Sequence, residues 1–500
     1  MRELLLGLDV GTTATKAILF DLDGQVVASA STSYGLITPA PDWVEQDPAE
    51  FWRAVVTTCQ QLVSVLKSGD RILALCQSSQ AGTTIPVDAC GEPLYNAFSW
   101  LDARGKDHEA LVRQKLGDDY IRTTTGWTLR DVFSLQHIGW LRLNRPDLFA
   151  SVRYFMFVND FIGFRLTGER CMNPSDAGVT QIFNIAENDW DQNILNLLAV
   201  RKEQLSPLFP SGHLVGKITG TAAEQTGLPE GLPVFNGAHD QYSTAIGVGV
   251  TSPGKVSLSC GTAWVLLAVP PSREAGLQTS MAIGRHAVPG QWGGIQSLGG
   301  VGASFEWLLN QVWGGSEMGR ERSGLYPALN YAASQSGVGA NGLQCVPVSG
   351  SSTSLTHPAG GSFLGLSLPH TLADMTRAAM EGIAFELRLA VNALRIAGVA
   401  VNELTMVGGA ARSAVWTQIV CDVIAVPVIV PQVSDAAARG AAILAGVGAG
   451  AFGSISEGIA AFKVEENRLL PDAEHCRRYD DLFETYRQSA GLLDALLPKP

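Results

Sequence analysis

The sequence predicts an α/β protein of two lobes, and three observations lead there. Strand-like apolar runs alternate with helical patterns along the chain, as in sheets covered by helices. A hairpin signature, "LLLGLDVGTTATKAILFDLDG" at residues 4–24, has an echo in "GKVSLSCGTAWVLLAV" from Gly254, and the central glycines Gly11 and Gly261 stand 250 positions apart, half the chain. The 500 residues also exceed the size at which single cores usually stop growing, about 250–300 residues. Together these predict a duplicated fold, with one lobe over 1–250, the other over 251–500, and a cleft between them.

The first lobe opens on the hairpin. An apolar strand ends at Asp9-Val10, Gly11-Thr12-Thr13 turn the chain, and 14–20 run back before the Asp21–Gly24 turn and a third strand. The common Gly-rich phosphate loops lead into a helix, whereas this one leads into a strand. Its backbone N–H groups can still form an anion-binding concavity, with the Thr12 and Thr13 hydroxyls as extra donors. A plain hairpin turn would use the same residues. Asp47, ahead of Pro48, Ala49 and Glu50, caps a helix over "FWRAVVTTCQQLVSVLK". A strand from Arg71, an Asp-x-x-Gly turn in "VDACGEPLYNAFSW", and helices near 133–143, 158–166 and 222–226 follow. "GLPVFNGAHDQYSTAIGVG" reads as strand, loop and small-residue helix, closing the lobe near Val250.

The second lobe repeats the mixture. Strands are expected over 254–269, a helix around 303–309, and a long helix over 372–396 introduced by Thr371. Then come the strand "ELTMVGGA", a helix over 414–424, the strand "VPVIV" and a helix over 435–444. The stretch "GAAILAGVGAGAFGSI" is built of small residues and reads as a closely packed helix with a Gly-rich loop after it. "CRRYDDLFETYRQSAGLLDALL" closes the chain as an amphipathic helix on the outside.

Composition removes several function classes. Lys and Arg number 35 against 47 Asp and Glu, net −12, which argues against a nucleic-acid surface. The eight cysteines, at 59, 76, 90, 171, 260, 345, 421 and 476, show no CxxC pair, so neither a zinc knuckle nor a disulfide framework is indicated. They read as buried thiols in a reducing cytosol. No signal-peptide core precedes Asp9 and no uncharged stretch reaches the length of a membrane span, so a soluble cytoplasmic protein with no membrane partner is expected.

Three clusters carry candidate chemistry. Asp9 closes the first strand and suits a magnesium ion or its waters, because that cation takes oxygen ligands and is often shared with phosphate. If both hairpins hold phosphates, an acceptor hydroxyl needs a carboxylate at the cleft floor, and Asp240, just past the strand "PVFNG", is the leading candidate. It could instead cap the following helix, and His239 is a rival base. In "SWLDARG", Trp100, Asp102 and Arg104 fall on alternate positions and would share one face of an extended segment, offering an aromatic plate, an acceptor and a bidentate donor to a polyhydroxylated ligand. A surface ion pair beside a core tryptophan fits that pattern too. Gln80 precedes this cluster. In "MVGGAARSAVW", Gly408 and Gly409 would let a flat adenine lie against backbone, or allow a close strand-to-helix crossing. Gly302 and Glu306 enter another helix as a facing wall.

In order, "GLDVGTTATK", "WVEQDPAEFW", "SWLDARG", "VNDFIGFRLTGE", "PSDAG", "GAHDQ", "SCGTAW", "GASFEW", "RAAMEGIAFELR", "VGGAARSAVW" and "RGAAILAGVGAG" cover nearly the whole chain. This series resembles the FGGY family of carbohydrate kinases, which includes xylulokinases and glycerol kinases. The resemblance implies a two-lobed, actin-like ATPase fold of the hexokinase type. It also implies an active site in the interdomain cleft, which closes on substrate, and transfer of the γ-phosphate of ATP, with Mg2+, to a sugar or polyol hydroxyl. Asp9, Thr12, Thr13 and Lys16 match the first phosphate motif, and Gly261 with Thr262 the second. Gly302, Glu306, Gly408, Gly409 and Ser413 fall at nucleotide-contact positions. Asp240 matches the catalytic base with Gln241 beside it, while Trp100, Asp102 and Arg104 match the substrate side. Members of the family often dimerise, so a homodimer is part of the expectation.

The chain departs from the family where substrate is chosen. After Gln80, glycerol kinases carry Arg-Glu and bacterial xylulokinases typically Met-His, whereas Ala81-Gly82 stand here. Losing an Arg-Glu clamp leaves a small polyol loosely held. The favoured substrate is therefore a pentulose such as D-xylulose, ahead of glycerol, another short polyol or a different ketose. The stretch "SGSSTSLTHPAGGSF" at 349–363 also departs from the Gly-Glu-Arg pattern usual there. From another class, a non-catalytic sugar or nucleotide sensor competes, but the joint presence of Asp9, Lys16 and Asp240 speaks against it. A dinucleotide oxidoreductase fails because Gly11 opens a hairpin.

Overall fold

The computed structural model describes residues 2–313, 322–348 and 360–496. In the first half, β1 (Arg2–Val10), β2 (Ala14–Asp21) and β3 (Val26–Ser33) form an antiparallel meander. Helix α1 (Pro48–Ser64), whose N-terminus is held by the Asp47 carboxylate accepting from Ala49 N–H, leads to β4 (Asp70–Ser79). Strand β4 lies parallel to β1. After β5 (Leu214–Lys217), β6 (Pro233–His239) adds parallel to β4, giving the order β5-β6-β4-β1-β2-β3. No loop follows β6: the chain passes from His239 directly into α2 (Asp240–Gly247), where the sequence pattern suggested a loop.

The second half repeats this plan. Strands β7 (Gly254–Cys260), β8 (Trp264–Ala268), β9 (Ala282–Arg285) and β10 (Trp292–Ser297) form the antiparallel part. After α3 (Val301–Trp307) and α4 (Leu372–Ile396), β11 (Val401–Gly408) adds parallel to β7. Helix α5 (Ala414–Ile424) then leads to β12 (Val428–Pro431), parallel to β11. Helix α6 (Ala436–Gly448) and β13 (Glu466–Leu469) complete the order β9-β10-β8-β7-β11-β12-β13. The series β3-β2-β1-β4-β6 and β10-β8-β7-β11-β12 have the same directions, so the duplication expected from the paired hairpins extends to both sheets.

Small residues bring the halves together. A Cβ on Gly440 of α6 would stand 1.9 Å from Ser243 O, and one on Gly247 of α2 would stand 2.0 Å from Ala436 O, so the two helices meet backbone to backbone. Helix α6 also lies on the first sheet, since a Cβ on Gly7 of β1 would come within 1.9 Å of Ala438 O. The alanine-rich stretch is thus a packed helix at the junction, as its composition predicts. It carries its N-terminus, and Asp435 ahead of it, to the end of β1 where the first hairpin turns.

The closing helix, Ala473–Leu496, lies outside the sheet but is not merely peripheral. It buries Tyr479, Phe483 and Tyr486 against α4, where Tyr479 donates to Glu381 at 2.8 Å and Tyr486 to Glu386 at 2.5 Å. Most of the stretch at 349–363 lies outside the described residues; Ser362–Leu364 pairs antiparallel with Gln344–Val346. Among the described residues no helix is long and apolar enough to cross a membrane, and no cysteine is paired.

Candidate active site

Three adjacent parallel strands end on the cleft. Asp9 pairs in register with Ser78, and Ser79 with His239, so Asp9, the segment after Ser79, and Asp240 stand side by side at strand C-termini, where open α/β sheets present ligands with polar groups. The first turn is tight, with Gly11 N–H donating to Ala14 O at 3.0 Å. Gln46 Nε2 holds Thr12 O at 2.8 Å, and the Trp100 indole donates to Thr12 Oγ1 at 3.0 Å. Trp100 thus ties the segment 99–104 to the first hairpin turn.

The floor of this cleft is overloaded with negative charge. Asp9 accepts from Ser78 Oγ at 2.9 Å. Burial, followed by the facing Asp435 and Asp240, holds its carboxyl well above the usual carboxylate range. Lys16 answers only part of that charge, with Nζ 2.8 Å from Asp435 Oδ2. No three His, Cys, Asp or Glu side chains among the described residues converge closely enough to hold a metal alone. The fit is therefore to a cation brought with phosphate: magnesium keeps waters and phosphate oxygens and needs one or two carboxylates, and Asp9 could supply one.

Asp240 is the first residue of α2, so the cap position falls to His239, which makes no side-chain capping hydrogen bond. His239 Nε2 lies 3.0 Å from Asp240 Oδ1 but outside hydrogen-bond geometry, leaving that buried oxygen without a donor. Burial lowers the His239 imidazole below its ordinary value, so the ring is neutral near pH 7. The helix-cap alternative thus does not describe Asp240, which stands as an available acceptor at the strand end. Gln241 is partly buried beside it.

The second hairpin is built against the facing glycines. A Cβ on Gly302 would lie 2.1 Å from Gly261 O, and Ala303 N–H donates to Thr262 O at 2.9 Å. Gly408 has φ 96° and its Cβ would meet Cys260 O at 2.6 Å, so backbone contact demands this glycine. The space at Gly261 and Gly409 is open, with nearest atoms at 3.7 and 3.8 Å from an added Cβ. Those two glycines leave room for a ligand against backbone. Glu306 is partly buried on α3.

Two sequence expectations need correction. Trp100, Asp102 and Arg104 do not share an extended face, because Asp102 N–H bonds to Ser99 O at 2.9 Å and turns the chain. Asp102 and Arg104 are buried. Arg104 donates to Asp102 at 2.7 and 2.8 Å and to Glu45 at 2.8 Å, and its guanidinium lies 3.9 Å from the Trp43 ring centroid. These bonds use Arg104 Nε and Nη2, and Nη1 is left buried without a partner. Ser413 is likewise committed: it caps α5 through Trp416 N–H and donates to Asn330 at 2.8 Å. Only Trp100 of the substrate-side triplet remains partly exposed.

The sequence reading also missed Asp435, which looked like a helix start and does accept from Ala438 N–H. Its pairing with Lys16, 419 positions earlier, leaves no local trace. Asp176 in "PSDAG" was read only as part of the family series. It is buried behind the floor, raised well above the usual range by burial and by the facing Asp240 and Asp160.

Comparison with known proteins gives the family and the fold. A model of the N-terminal domain of the FGGY family of carbohydrate kinases matches residues 4–247, and a model of its C-terminal domain matches 256–449. The chain belongs to the FGGY family of carbohydrate kinases. It is 30% identical over 493 residues to the xylulose kinase of Staphylococcus epidermidis, covering 97% of this chain and 96% of that one. It is 27% identical over 510 residues to the autoinducer-2 kinase of an Enterobacter species, covering 98% and 95%. The solved structure of xylulose kinase from Rhodospirillum rubrum superposes with TM-score 0.88 at 28% identity over 99% of both chains. This carbohydrate kinase therefore has the two-lobed, actin-like α/β fold of its family.

Proposed function

We propose that this kinase phosphorylates a pentulose such as D-xylulose from ATP and Mg2+, with Asp240 as the base and the lobes dividing near residue 250. The observation that carries the reading is the Asp240 carboxylate: free of capping duty and with one oxygen lacking a donor, it stands next to the segment that follows β4, Gln80 to Gly82, with Asp9 beyond that segment on β1.

Asp240 orients the acceptor hydroxyl and takes its proton as the oxygen bonds to the γ-phosphorus. ADP leaves with the electrons of the broken P–O bond. Lys16 and the backbone N–H groups of the Gly11 and Gly261 turns hold phosphate oxygens. Gly409 leaves room for the adenine. Magnesium, held by Asp9 and phosphate, would neutralise charge on the transferring group. Trp100 stacks on the C–H face of the sugar, and Gln241 and Gln80 offer amides to its hydroxyls.

The xylulose kinase relatives support a pentulose, and the autoinducer-2 kinase relatives show that close sequences serve other acceptors. Ala81 and Gly82 disfavour glycerol, which would find no charged clamp there. The test is ADP release with Mg-ATP against a panel of ketoses, aldoses and short polyols. Turnover confined to pentuloses is expected. Comparable kcat/KM on glycerol and xylulose would sink the substrate assignment, and no sugar-dependent ADP with intact ATP binding would favour a sensor.

A further inference from the structure

Asp240 begins α2 directly after β6, so its direction is set by the peptide that precedes it. The pairing of β6 with β5 ends at Phe235, and that with β4 reaches His239, whose partner is Ser79. The N–H of His239 goes to a side chain, Ser175 Oγ, at 3.1 Å. The carbonyl of the same peptide, Ala238 O, is reached by Ser243 Oγ of α2 at 3.3 Å. With no side-chain cap at His239, these two hydroxyls hold the peptide that leads into Asp240.

Ser175 is itself fixed. It lies in the short helix Pro174–Val179, whose N-cap is Asn173. Asn173 Oδ1 accepts from Ser175 Oγ at 2.6 Å and from Asp176 N–H at 2.9 Å, and Asn173 Nδ2 donates to Asp176 Oδ2 at 2.6 Å. A serine hydroxyl has one proton and two lone pairs. With its proton committed to Asn173, Ser175 Oγ offers only acceptor sites, which is what the His239 N–H requires. Asp176 extends the clasp to the neighbouring strand, its Oδ1 standing 3.5 Å from Ser79 Oγ. Asn173, Ser175, Asp176 and Ser79 are all buried, so solvent does not replace a lost partner there. The short helix also lies against β9 of the second sheet. One segment thus clasps the ends of both strands that lead to the cleft, β4 before Gln80 and β6 before Asp240.

We propose that Ser175 is a positioning residue for phosphoryl transfer: by holding the His239 N–H it fixes where the Asp240 carboxylate stands, and Asn173 keeps the Ser175 hydroxyl turned to that task. The inference rests on the reading of Asp240 as the base. Ser175 acts through that base, without contact with sugar or nucleotide. A reacting group misplaced by about 1 Å loses about 10²-fold in rate, because proton transfer needs hydrogen-bond reach to the hydroxyl. The turns at Gly11 and Gly261 are not part of this clasp. ATP therefore stays poised, and water competes for the γ-phosphorus in place of the sugar, giving ADP and inorganic phosphate.

The test measures ADP and sugar phosphate together, with Mg-ATP and D-xylulose or, where another sugar of the panel above is turned over faster, that sugar. It compares wild type, Ser175→Ala, Ser175→Thr, Asn173→Ser and Asp240→Asn. Ser175→Ala is expected to lower kcat by about 10²-fold with KM for ATP unchanged, and to form less sugar phosphate than ADP, whereas wild type forms equal amounts. Ser175→Thr keeps the hydroxyl and should restore both rate and coupling. Asn173→Ser keeps a cap but withdraws the acceptor from Ser175 Oγ; it should shift rate and coupling in the same direction, and it carries the test if Ser175→Ala fails to fold. A merely structural Ser175 would lower the folded fraction and leave kcat per folded molecule and the coupling ratio unchanged, and that result overturns the inference. Equal losses in folded Ser175→Ala and Ser175→Thr overturn it too. Loss of turnover in Asp240→Asn with full activity in Ser175→Ala and Asn173→Ser removes the inference and leaves the base reading standing. Wild-type turnover in Asp240→Asn, or a wild type that phosphorylates no sugar of the panel, overturns the base reading and the inference with it.

Discussion

At Glu45, Asp102 and Arg104 every carboxylate has partners. Asp102 receives Arg104 and Val44 N–H, Glu45 receives Arg104, Tyr95 and Asn96, and three aromatic rings surround the guanidinium. At the cleft floor Asp9 faces both Asp435 and Asp240, one lysine, Lys16, pairs with Asp435, and Asp240 keeps an oxygen without a donor. Both clusters follow strands of the first sheet or its neighbours, and both combine acids with a cation. The difference is that the first has its charges paired, with Arg104 Nη1 left without a partner, while the second is in charge deficit. Buried ions are tolerated when paired. An uncompensated group at a strand end marks where a ligand completes the structure.

The sharpest way to break this contrast is Asp240→Asn. Removing the acceptor should lower kcat roughly 10²–10⁴-fold, the usual range for a general base, with unfolding in denaturant unchanged. Arg104→Met should do the opposite. Leaving Asp102 and Glu45 buried without their cation costs about 3–5 kcal/mol of stability, read as a lower urea midpoint, while turnover per folded molecule holds. Lys16→Met should lower kcat by roughly 10²-fold, comparable to losing one preorganised donor at a developing charge, with the greater share at low salt.

A smaller effect comes from a third acid. Asp160 is buried, accepts from Phe157 N–H and Ser206 Oγ at 2.6 Å each, and is pushed by burial up to about 7. Its folded value lies above the unfolded one, so its contribution to stability is full below about pH 4 and lost as pH rises through 7. Wild type should therefore lose about 1 kcal/mol per pH unit relative to Asp160→Asn across that window. A flat difference between the two curves would show that burial there is offset by other groups.

Local signals were legible in the sequence. Glycines with threonines between strands gave both hairpins, and Asp47, Thr371 and Asp435 announced helix starts that the structure contains. Alternation misled at "SWLDARG", because one backbone hydrogen bond, Asp102 N–H to Ser99 O, converts an extended segment into a turn and sends Arg104 inward. Pairings across hundreds of residues, such as Lys16 with Asp435, depend on how α6 packs against β1 and are written in no single motif. The packing around Ala81 was likewise invisible: Ala81-Gly82 registered as a missing clamp, while Phe133 and Val179, which pack with Ala81, come from distant segments joined only by folding.

The most direct test sets the two clusters side by side, measuring sugar-dependent ADP release per folded molecule and unfolding free energy in Asp240→Asn and Arg104→Met. The account predicts lost turnover with retained stability in the first, and lost stability with retained turnover in the second. Turnover at the wild-type rate in Asp240→Asn, or the same loss of both properties in both variants, would contradict it.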